Sequence, residues 1–178
     1  MRDVLRSMPG PVFLESDRLS LRTVESEDRE FIRSHWNSPE LRHWFAKTDP
    51  IDSERLSDFL ETNDTEVHFL PCRDSVPVGF LWLFRIDDVA GRGEIGYWVS
   101  PEEQGNGYAT EAAELGLRYA FNERGLHKVM ARVFEGNKTS QRILEKLGFE
   151  EEGYLREHYF VDGEYVDTRF FGLLADDK

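Results

Sequence analysis

A glycine-rich turn constrains this chain more than any other feature of its sequence. Gln104-Gly105-Asn106-Gly107-Tyr108-Ala109-Thr110 lies between a strand-like run and a helix-like run. Small residues let a backbone approach a ligand closely, and the unpaired N–H groups at a helix start favour a phosphate. The turn therefore predicts an anion site where a strand meets a helix, and the alternative is a plain glycine-rich connection.

Two well-known phosphate-binding turns do not fit this segment. A Walker P-loop needs Gly-Lys-Ser/Thr after its glycines, and those residues are absent. A dinucleotide fingerprint needs a third small residue where Thr110 stands, and it usually follows the first strand of a chain. Several predicted strands precede the turn here, so a diphosphate-binding turn of another kind is the remaining interpretation.

Hydropathy periods predict an α/β chain with a mixed sheet that is mostly antiparallel at first. The predicted order is β-ααα-βββ-α-β-α-ββ, with three helices after the first strand. Asp162-Gly163 gives a strong turn signal between the last two strands, and residues 74–77 also have the composition of a turn. The predicted strands cover residues 14–24, 67–73, 78–86, 94–99, 128–134, 154–161 and 164–174.

Length and charge limit the number of domains and the kinds of partner that the chain can have. A chain of 178 residues predicts one domain over residues 1–178. The 35 acidic and 22 basic residues give a net charge of −13, and such a surface repels nucleic acid. Of the basic residues, 17 are arginine and five are lysine, which would suit a salt-rich cytoplasm and a halophilic source.

Several partners and compartments are not expected. No apolar run approaches about 18 residues, so no membrane partner is predicted. The first 11 residues hold no apolar signal region, and a single cysteine, Cys72, fits a reducing, cytoplasmic setting. The five histidines and the lone cysteine show no metal-ligand spacing, so no metal is expected.

One segment departs from the acidic background. Residues 118–146 carry seven basic and three acidic side chains, a net charge of +4. This segment indicates a local site for an anionic ligand, and the alternative is chance combined with basic residues at helix C-termini.

Motifs in both halves of the chain resemble one known family. Gln104, Gly107 and Ala109 meet the pattern Gln/Arg-x-x-Gly-x-Gly/Ala, and residues 137–140 and 144–149 read Asn-Lys-Thr-Ser and Leu-Glu-Lys-Leu-Gly-Phe. These residues, with 93–101, are similar to the acetyl-CoA-binding core of the GNAT N-acetyltransferases. Arg-Leu-Ser-Leu-Arg at 18–22, with Glu152, Gly153 and Arg156, is similar to the ribosomal-protein N-acetyltransferase branch. The resemblance covers about residues 15–174.

The resemblance implies a twisted, mostly antiparallel sheet of about seven strands, with helices on both faces. Two central parallel strands, 94–99 and 128–134, would splay apart. It also implies acetyl-CoA as co-substrate, with pantetheine along Trp98 and Val99 and the diphosphate on N–H groups of the glycine-rich turn. The cationic 118–146 segment would then shield coenzyme A from the acidic bulk. Asn137 would bind the pantetheine arm or cap a helix.

Acetyl transfer needs a base for the amine and a group that stabilises the leaving thiolate. Glu94 is the candidate base, since the related family position often carries a carboxylate, and the alternative is a surface carboxylate. Many family members use a tyrosine where Leu144 stands, so Ser140, one helical turn earlier, becomes the candidate thiol-directed group. Ser140 alternatively opens the helix. We expect Cys72 to be a buried strand residue rather than an acetylated intermediate.

The resemblance also implies where an amine acceptor would bind. Trp36, Trp44 and Phe45 would flank the acceptor cleft and Tyr159 would close its other side, although aromatic residues on amphipathic helices are also typical of a core. The first expected acceptor is a protein N-terminal α-amine, and the second is a small amine such as a polyamine, amino sugar or amino acid. The alternative from a different functional class is a non-catalytic module that binds acyl-CoA. By fold analogy, the last hairpin would pair two subunits of a homodimer.

Overall fold

A mixed sheet forms the framework of the chain. The computed structural model describes residues 9–46, 48–61 and 64–177, and within them nine strands lie in one sheet, in the order β1-β2-β3-β5-β6-β7-β9-β8, with β4 paired to β3. Among these strands the one parallel pair is β6 with β7. The strands are β1 (Val12–Glu15), β2 (Ser20–Arg22), β3 (Val67–Arg73), β4 (Val76–Pro77), β5 (Gly79–Asp87), β6 (Arg92–Val99), β7 (Lys128–Phe134), β8 (Glu150–Val161) and β9 (Glu164–Leu174).

Side-chain hydrogen bonds cap the starts of two helices in the described residues. The Asp52 carboxylate accepts a hydrogen bond from the backbone N–H of Arg55 at 2.9 Å, and Asn137 caps the last helix in the same way. The helix after the glycine-rich turn continues into one π-helical turn, Tyr119–Glu123. The helices are α1 (Arg29–Trp36), α2 (Pro39–Arg42), α3 (Ser53–Leu60), α4 (Tyr108–Arg118) and α5 (Lys138–Lys146).

Each face of the sheet buries its own apolar core. Successive side chains of a strand point to opposite faces, so β6 contributes Ile95 and Val99 to one core and Trp98 to the other. The first core lies under α4 and α5 and includes Leu117 and Leu144. The second core lies under α1–α3 and is strongly aromatic, with the rings of Trp36, Phe80, Trp82 and Trp98 packed together.

The parallel pair at the centre of the sheet is short. Register between β6 and β7 runs only from Arg92 opposite Lys128 to Glu94 opposite Met130. On their outer sides both strands stay paired, β6 with β5 as far as Val99 and β7 with β9 as far as Phe134. The two strands therefore diverge after Glu94, which confirms the predicted splay and opens a gap in the sheet.

The sequence predictions were wrong at two places near the start of the sheet. Residues 14–24 form two strands instead of one, because a turn closed by the Ser16 N–H and the Leu19 carbonyl, 2.8 Å apart, separates β1 from β2. The predicted turn at 74–77 also contains the short strand β4. Nine strands rather than about seven result, because spacing alone does not distinguish a strand from a tight hairpin.

The last hairpin presents apolar side chains to solvent. Phe160 and Tyr165 are 52% and 67% exposed and their rings lie 5.1 Å apart, on the strand pair that ends the sheet. Pairing of two copies through this hairpin stays a prediction. Across the described residues, no helix is both long enough and apolar enough to span a membrane.

His68 is an uncharged histidine inside the aromatic core. Its side chain is buried and its ring lies 5.8 Å from that of Phe80 and 4.9 Å from that of Phe59. Burial lowers the pKa of His68 to about 4, because water cannot solvate the protonated ring there. Nε2 lies 3.4 Å from a carboxylate oxygen of Glu66, and the neutral ring is the state that this pKa favours at neutral pH.

We expect His68 to make the fold sensitive to acid. The unfolded chain binds a proton at this ring below a pKa of about 6.5, whereas the folded chain binds it only near pH 4. Stability from the neutral ring is therefore complete above pH 6.5 and falls by roughly 3 kcal/mol as the pH approaches 4. Urea unfolding of the wild type and of His68→Leu between pH 7.5 and 4.5 measures this loss of stability. Parallel pH profiles of the two proteins would contradict the expectation.

Candidate active site

The gap between β6 and β7 opens into a cavity of about 620 Å³. The divergent ends of the two strands form its walls, and the glycine-rich turn with the starts of α4 and α5 forms one end. Leu41, Trp44 and Phe45 reach it from the helices on the other face of the sheet. The cavity therefore passes through the sheet, and its lining includes residues 95–99 and 131–134.

The glycine-rich turn presents its backbone to this cavity. Gly105 and Gly107 have φ angles of 80° and 82°, a left-handed conformation that favours glycine. Within the described parts of the chain, the N–H groups of residues 105–110 donate to no backbone carbonyl. Gln104 ties the turn to β6 through a 3.2 Å hydrogen bond from Nε2 to the carbonyl of Val99. Such a row of unpaired donors at a helix start fits a diphosphate.

Most of the predicted cofactor residues line the cavity. Asn106 does not line it, and its side-chain amide donates to the carbonyl of Glu103 at 3.0 Å. Asn137 lines it and also caps α5, because its Oδ1 accepts from the Ser140 N–H at 3.1 Å. The others that line it are Trp98, Val99, Gln104, Gly105, Gly107, Tyr108, Ala109, Thr110 and Ser140.

Ser140 has a partner that the sequence did not indicate. Its hydroxyl lies 3.5 Å from the Tyr97 hydroxyl, so the pair joins the start of α5 to the splayed half of β6. Burial raises the pKa of Tyr97 to about 12, although the Ser140 hydrogen bond opposes the shift. The phenol is thus protonated at neutral pH and can donate a hydrogen bond. Leu144 lies close by in the cavity wall and offers no polar atom.

Glu94 sits at the base of the gap, at the last residue pair before the strands diverge. Its carboxylate is buried, outside the cavity lining, and both of its oxygens accept hydrogen bonds from guanidinium groups. Oε1 accepts from Nε of Arg132, and Oε2 from Nη1 of Arg85 at 3.2 Å. Arg132 lines the cavity and also donates to the hydroxyl of Tyr159. Glu94 is therefore connected to the cavity through Arg132, a lining residue that the sequence reasoning missed.

The four predicted acceptor residues occupy different places. Trp44 and Phe45 line the cavity, half-buried, on the α2 side. Trp36 is 1% exposed and packs against Phe59 in the second core, with ring centroids 4.7 Å apart, so its expected place at the cleft was wrong. Tyr159 lies outside the lining and acts on it through its bond with Arg132.

The cationic 118–146 segment does not gather around the cavity. Arg118 donates to the carbonyl of Glu15 at 3.2 Å, and Arg124 pairs with Asp88 at 3.1 Å. Arg132 pairs with Glu94, and Lys138 is a segment lysine that lines the cavity. The predicted shielding of a polyanion by this segment is therefore mostly absent, because Arg124 and Arg132 pair with acidic side chains and Arg118 bonds a backbone carbonyl.

Cys72 is a buried strand residue, as expected. It is 1% exposed in β3, and burial raises the pKa of its thiol to about 12. A protonated, enclosed thiol is a poor nucleophile. In the described part of the chain, no three histidine, cysteine or acidic side chains are grouped to hold a metal ion.

Comparisons with known proteins agree with this geometry. A family profile described as an acetyltransferase (GNAT) domain matches residues 18–150. The chain is 33% identical to spermidine N(1)-acetyltransferase of Escherichia coli K12, over 83% of this chain and 81% of that protein. Spermidine N-acetyltransferase of Vibrio cholerae, solved with CoA and spermine, superposes with a TM-score of 0.86 at 26% identity, over 91% and 98% of the two chains. A dodecameric structure of the same enzyme gives a TM-score of 0.79 at 28% identity, over 90% and 96% of the chains.

We expect Arg132 and Glu94 to be coupled in stability. Arg132→Met leaves a buried carboxylate with Arg85 as its remaining cation, which should cost roughly 2 kcal/mol. Glu94→Gln in the same chain should recover about half of that loss, because the neutral amide needs no counter-charge. Urea unfolding of the two single variants and the double variant gives the coupling energy.

The exposed pair formed by Arg33 and Glu30, 2.6 Å apart on α1, is a matched control. The corresponding cycle with Arg33→Met and Glu30→Gln should give less than about 0.5 kcal/mol. Equal coupling energies for the two pairs would contradict a special role for the buried one.

Proposed function

This chain belongs to the GNAT family of N-acetyltransferases and uses acetyl-CoA, and we propose that its acceptor is a small primary amine, with polyamines as the first candidates. The observation that carries the proposal is the cavity through the sheet. It joins a row of backbone donors suited to a diphosphate with an aromatic mouth on the opposite face. Donor and acceptor can then meet in the gap between β6 and β7.

We place acetyl-CoA along the splayed half of β6. The diphosphate would accept hydrogen bonds from the N–H groups of residues 105–110. The pantetheine arm would pair with the backbone of Trp98 and Val99, whose inward groups have no strand partner beyond Glu94. This placement brings the thioester to the middle of the gap, near Tyr97 and Ser140.

Chemistry then follows by direct attack in a ternary complex. The neutral amine nitrogen forms a bond to the thioester carbonyl carbon, the C–S bond breaks, and the thiolate leaves. Glu94 takes the proton of the amine through water, since its carboxylate lies outside the cavity lining and retains further lone pairs beside its two guanidinium partners. The Ser140 hydroxyl, supported by Tyr97 at 3.5 Å, donates a hydrogen bond to the thiolate.

Polyamines suit the acceptor mouth for two reasons. Trp44 and Phe45 line it, and aromatic faces attract ammonium groups while their surfaces accept methylene chains. The net charge of −13 draws cationic molecules toward the protein. The relatives that acetylate spermidine add support, since this chain covers most of their length.

A protein N-terminal α-amine is the second candidate acceptor. The observation that favours it is the exchange at α5, where Leu144 stands at the usual tyrosine position and Ser140 lies one turn earlier. The ribosomal-protein branch that the chain resembles often has serine at the position of Ser140. An α-amine, with a pKa near ~8, also needs less help from a base than a polyamine amine near ~10.4.

We further propose that the chain self-associates, because the exposed hairpin of β8 and β9 leaves apolar rings in solvent. The Vibrio cholerae relative, whose structure is dodecameric, supports assembly of this fold.

An acceptor panel tests the proposed substrate class. Release of free thiol from acetyl-CoA is measured with spermidine, spermine, an amino sugar, free amino acids and a peptide with an unblocked N-terminus, and products are identified by mass. We expect kcat/KM for a polyamine to exceed that for the peptide by about tenfold or more. The reverse order would favour the α-amine, and thiol release with none of these amines would overturn both acceptor classes.

Variants of the two proposed catalytic residues should lower kcat more than they raise the KM for acetyl-CoA. Glu94→Gln is expected to reduce kcat by about 10²-fold or more, the range typical of a lost general base. Ser140→Ala is expected to cost about tenfold to a hundredfold.

Cys72→Ala serves as the matched control, because the buried thiol lies outside the cavity lining and its loss should leave turnover nearly intact. Loss of activity in this variant, with loss of a burst of acetyl-enzyme, would overturn direct attack.

A further inference from the structure

A carboxylate lies beside the row of backbone donors that would hold the diphosphate. Glu111 is in the first turn of α4, four residues after Gly107. Partial burial alone would raise its pKa, but hydrogen bonds from Ser16 and Arg18, with the charge of Arg18, lower it below the usual value. The group is therefore ionised. An unpaired negative charge at this place would repel the diphosphate of coenzyme A.

Arg18 neutralises this carboxylate from the turn between β1 and β2. Its Nη2 lies 2.5 Å from Glu111 Oε2, and its backbone N–H donates to Oε1 at 3.3 Å. The Ser16 hydroxyl donates to the same Oε1 at 2.5 Å. Within the described residues, the donors to Glu111 come from Ser16 and Arg18, 95 and 93 positions earlier in the chain, so the β1–β2 turn and the start of α4 are held together.

The same guanidinium also fixes one peptide of the glycine-rich turn. Nη1 of Arg18 donates to the carbonyl oxygen of Asn106 at 3.0 Å. In a planar trans peptide the C=O and the following N–H point in opposite directions, so the Gly107 N–H points away from Arg18. Gly107 lines the cavity whereas Arg18 does not, which directs that N–H toward the ligand side.

We propose that Arg18 is a positioning residue for coenzyme A, acting on the diphosphate site from behind it. The guanidinium cancels the charge of Glu111 and holds the Asn106–Gly107 peptide with its N–H facing the cavity. It touches neither the thioester nor the acceptor, so the inference does not depend on which amine is acetylated. A fork of two donors reaches two acceptors at once, which a lysine at this position does not do.

Calorimetric binding of coenzyme A to the apo chain tests the proposal without an acceptor. Arg18→Met should raise the Kd of coenzyme A by about tenfold, because Glu111 stays charged and the peptide is released. The Kd of pantetheine, which lacks the diphosphate, should not change. Arg18→Met combined with Glu111→Gln should recover several-fold of the lost affinity, and Arg18→Lys should fall between Arg18→Met and the wild type.

Arg33→Met is the matched control, since it removes an arginine from an exposed ion pair within α1 that includes no residue of the glycine-rich turn. It should leave both dissociation constants as they are. Equal weakening of coenzyme A and pantetheine by Arg18→Met would show a general loss of structure and overturn the proposal. So would an unchanged Kd for coenzyme A, or a double variant no better than Arg18→Met. If Arg18→Met does not fold, the Kd of coenzyme A is compared between Arg18→Lys and Arg18→Lys combined with Glu111→Gln. The proposal then requires tighter binding by the double variant.

Discussion

The divergence of β6 and β7 after their third residue pair is the constraint on which the site depends. Each strand keeps its outer partner, β5 for β6 and β9 for β7, so the sheet stays continuous around the gap while its centre opens. The opening leaves backbone groups of residues 95–99 facing the cavity, and α4 and α5 start at its edge. Glu94 marks the point where the strands part, and its two arginine partners neutralise a charge that would otherwise be buried alone.

Electrostatics explains how so acidic a chain can bind a polyanion. Most basic side chains near the site already form ion pairs with acidic residues. Arg132 pairs with Glu94, Arg73 with Glu103, and Arg18 with Glu111. Lys138 also lines the cavity, and under the proposed placement the other donors for a diphosphate are backbone N–H groups of the glycine-rich turn, whose partial charges need no counter-ion. Under the proposed placement, anion binding depends on backbone orientation more than on the number of lysines, and these short-range contacts act against the long-range repulsion from a net charge of −13.

The sequence predicted correctly those features whose conformation is set by neighbouring residues. The glycine-rich turn, the cap at Asn137 and the Asp162-Gly163 hairpin all lie where residues within a few positions set the conformation. The features that the sequence did not predict involve partners far apart in the chain. Arg132 and Glu94 are 38 positions apart and Arg18 and Glu111 are 93 apart, so no spacing rule connects them. Trp36 shows the same limit, because its apolar helix face fits either a cleft or a core and only the packing of Phe59 and Phe80 decides.

The cavity is lined from both faces of the sheet. Its lining includes the glycine-rich turn at one end and Trp44 and Phe45 on the opposite face. Under the proposed function, a donor held at the glycine-rich turn and an acceptor held beside Trp44 and Phe45 would approach the gap from opposite faces of the sheet. Neither would then have to pass the other on its way to the reacting atoms.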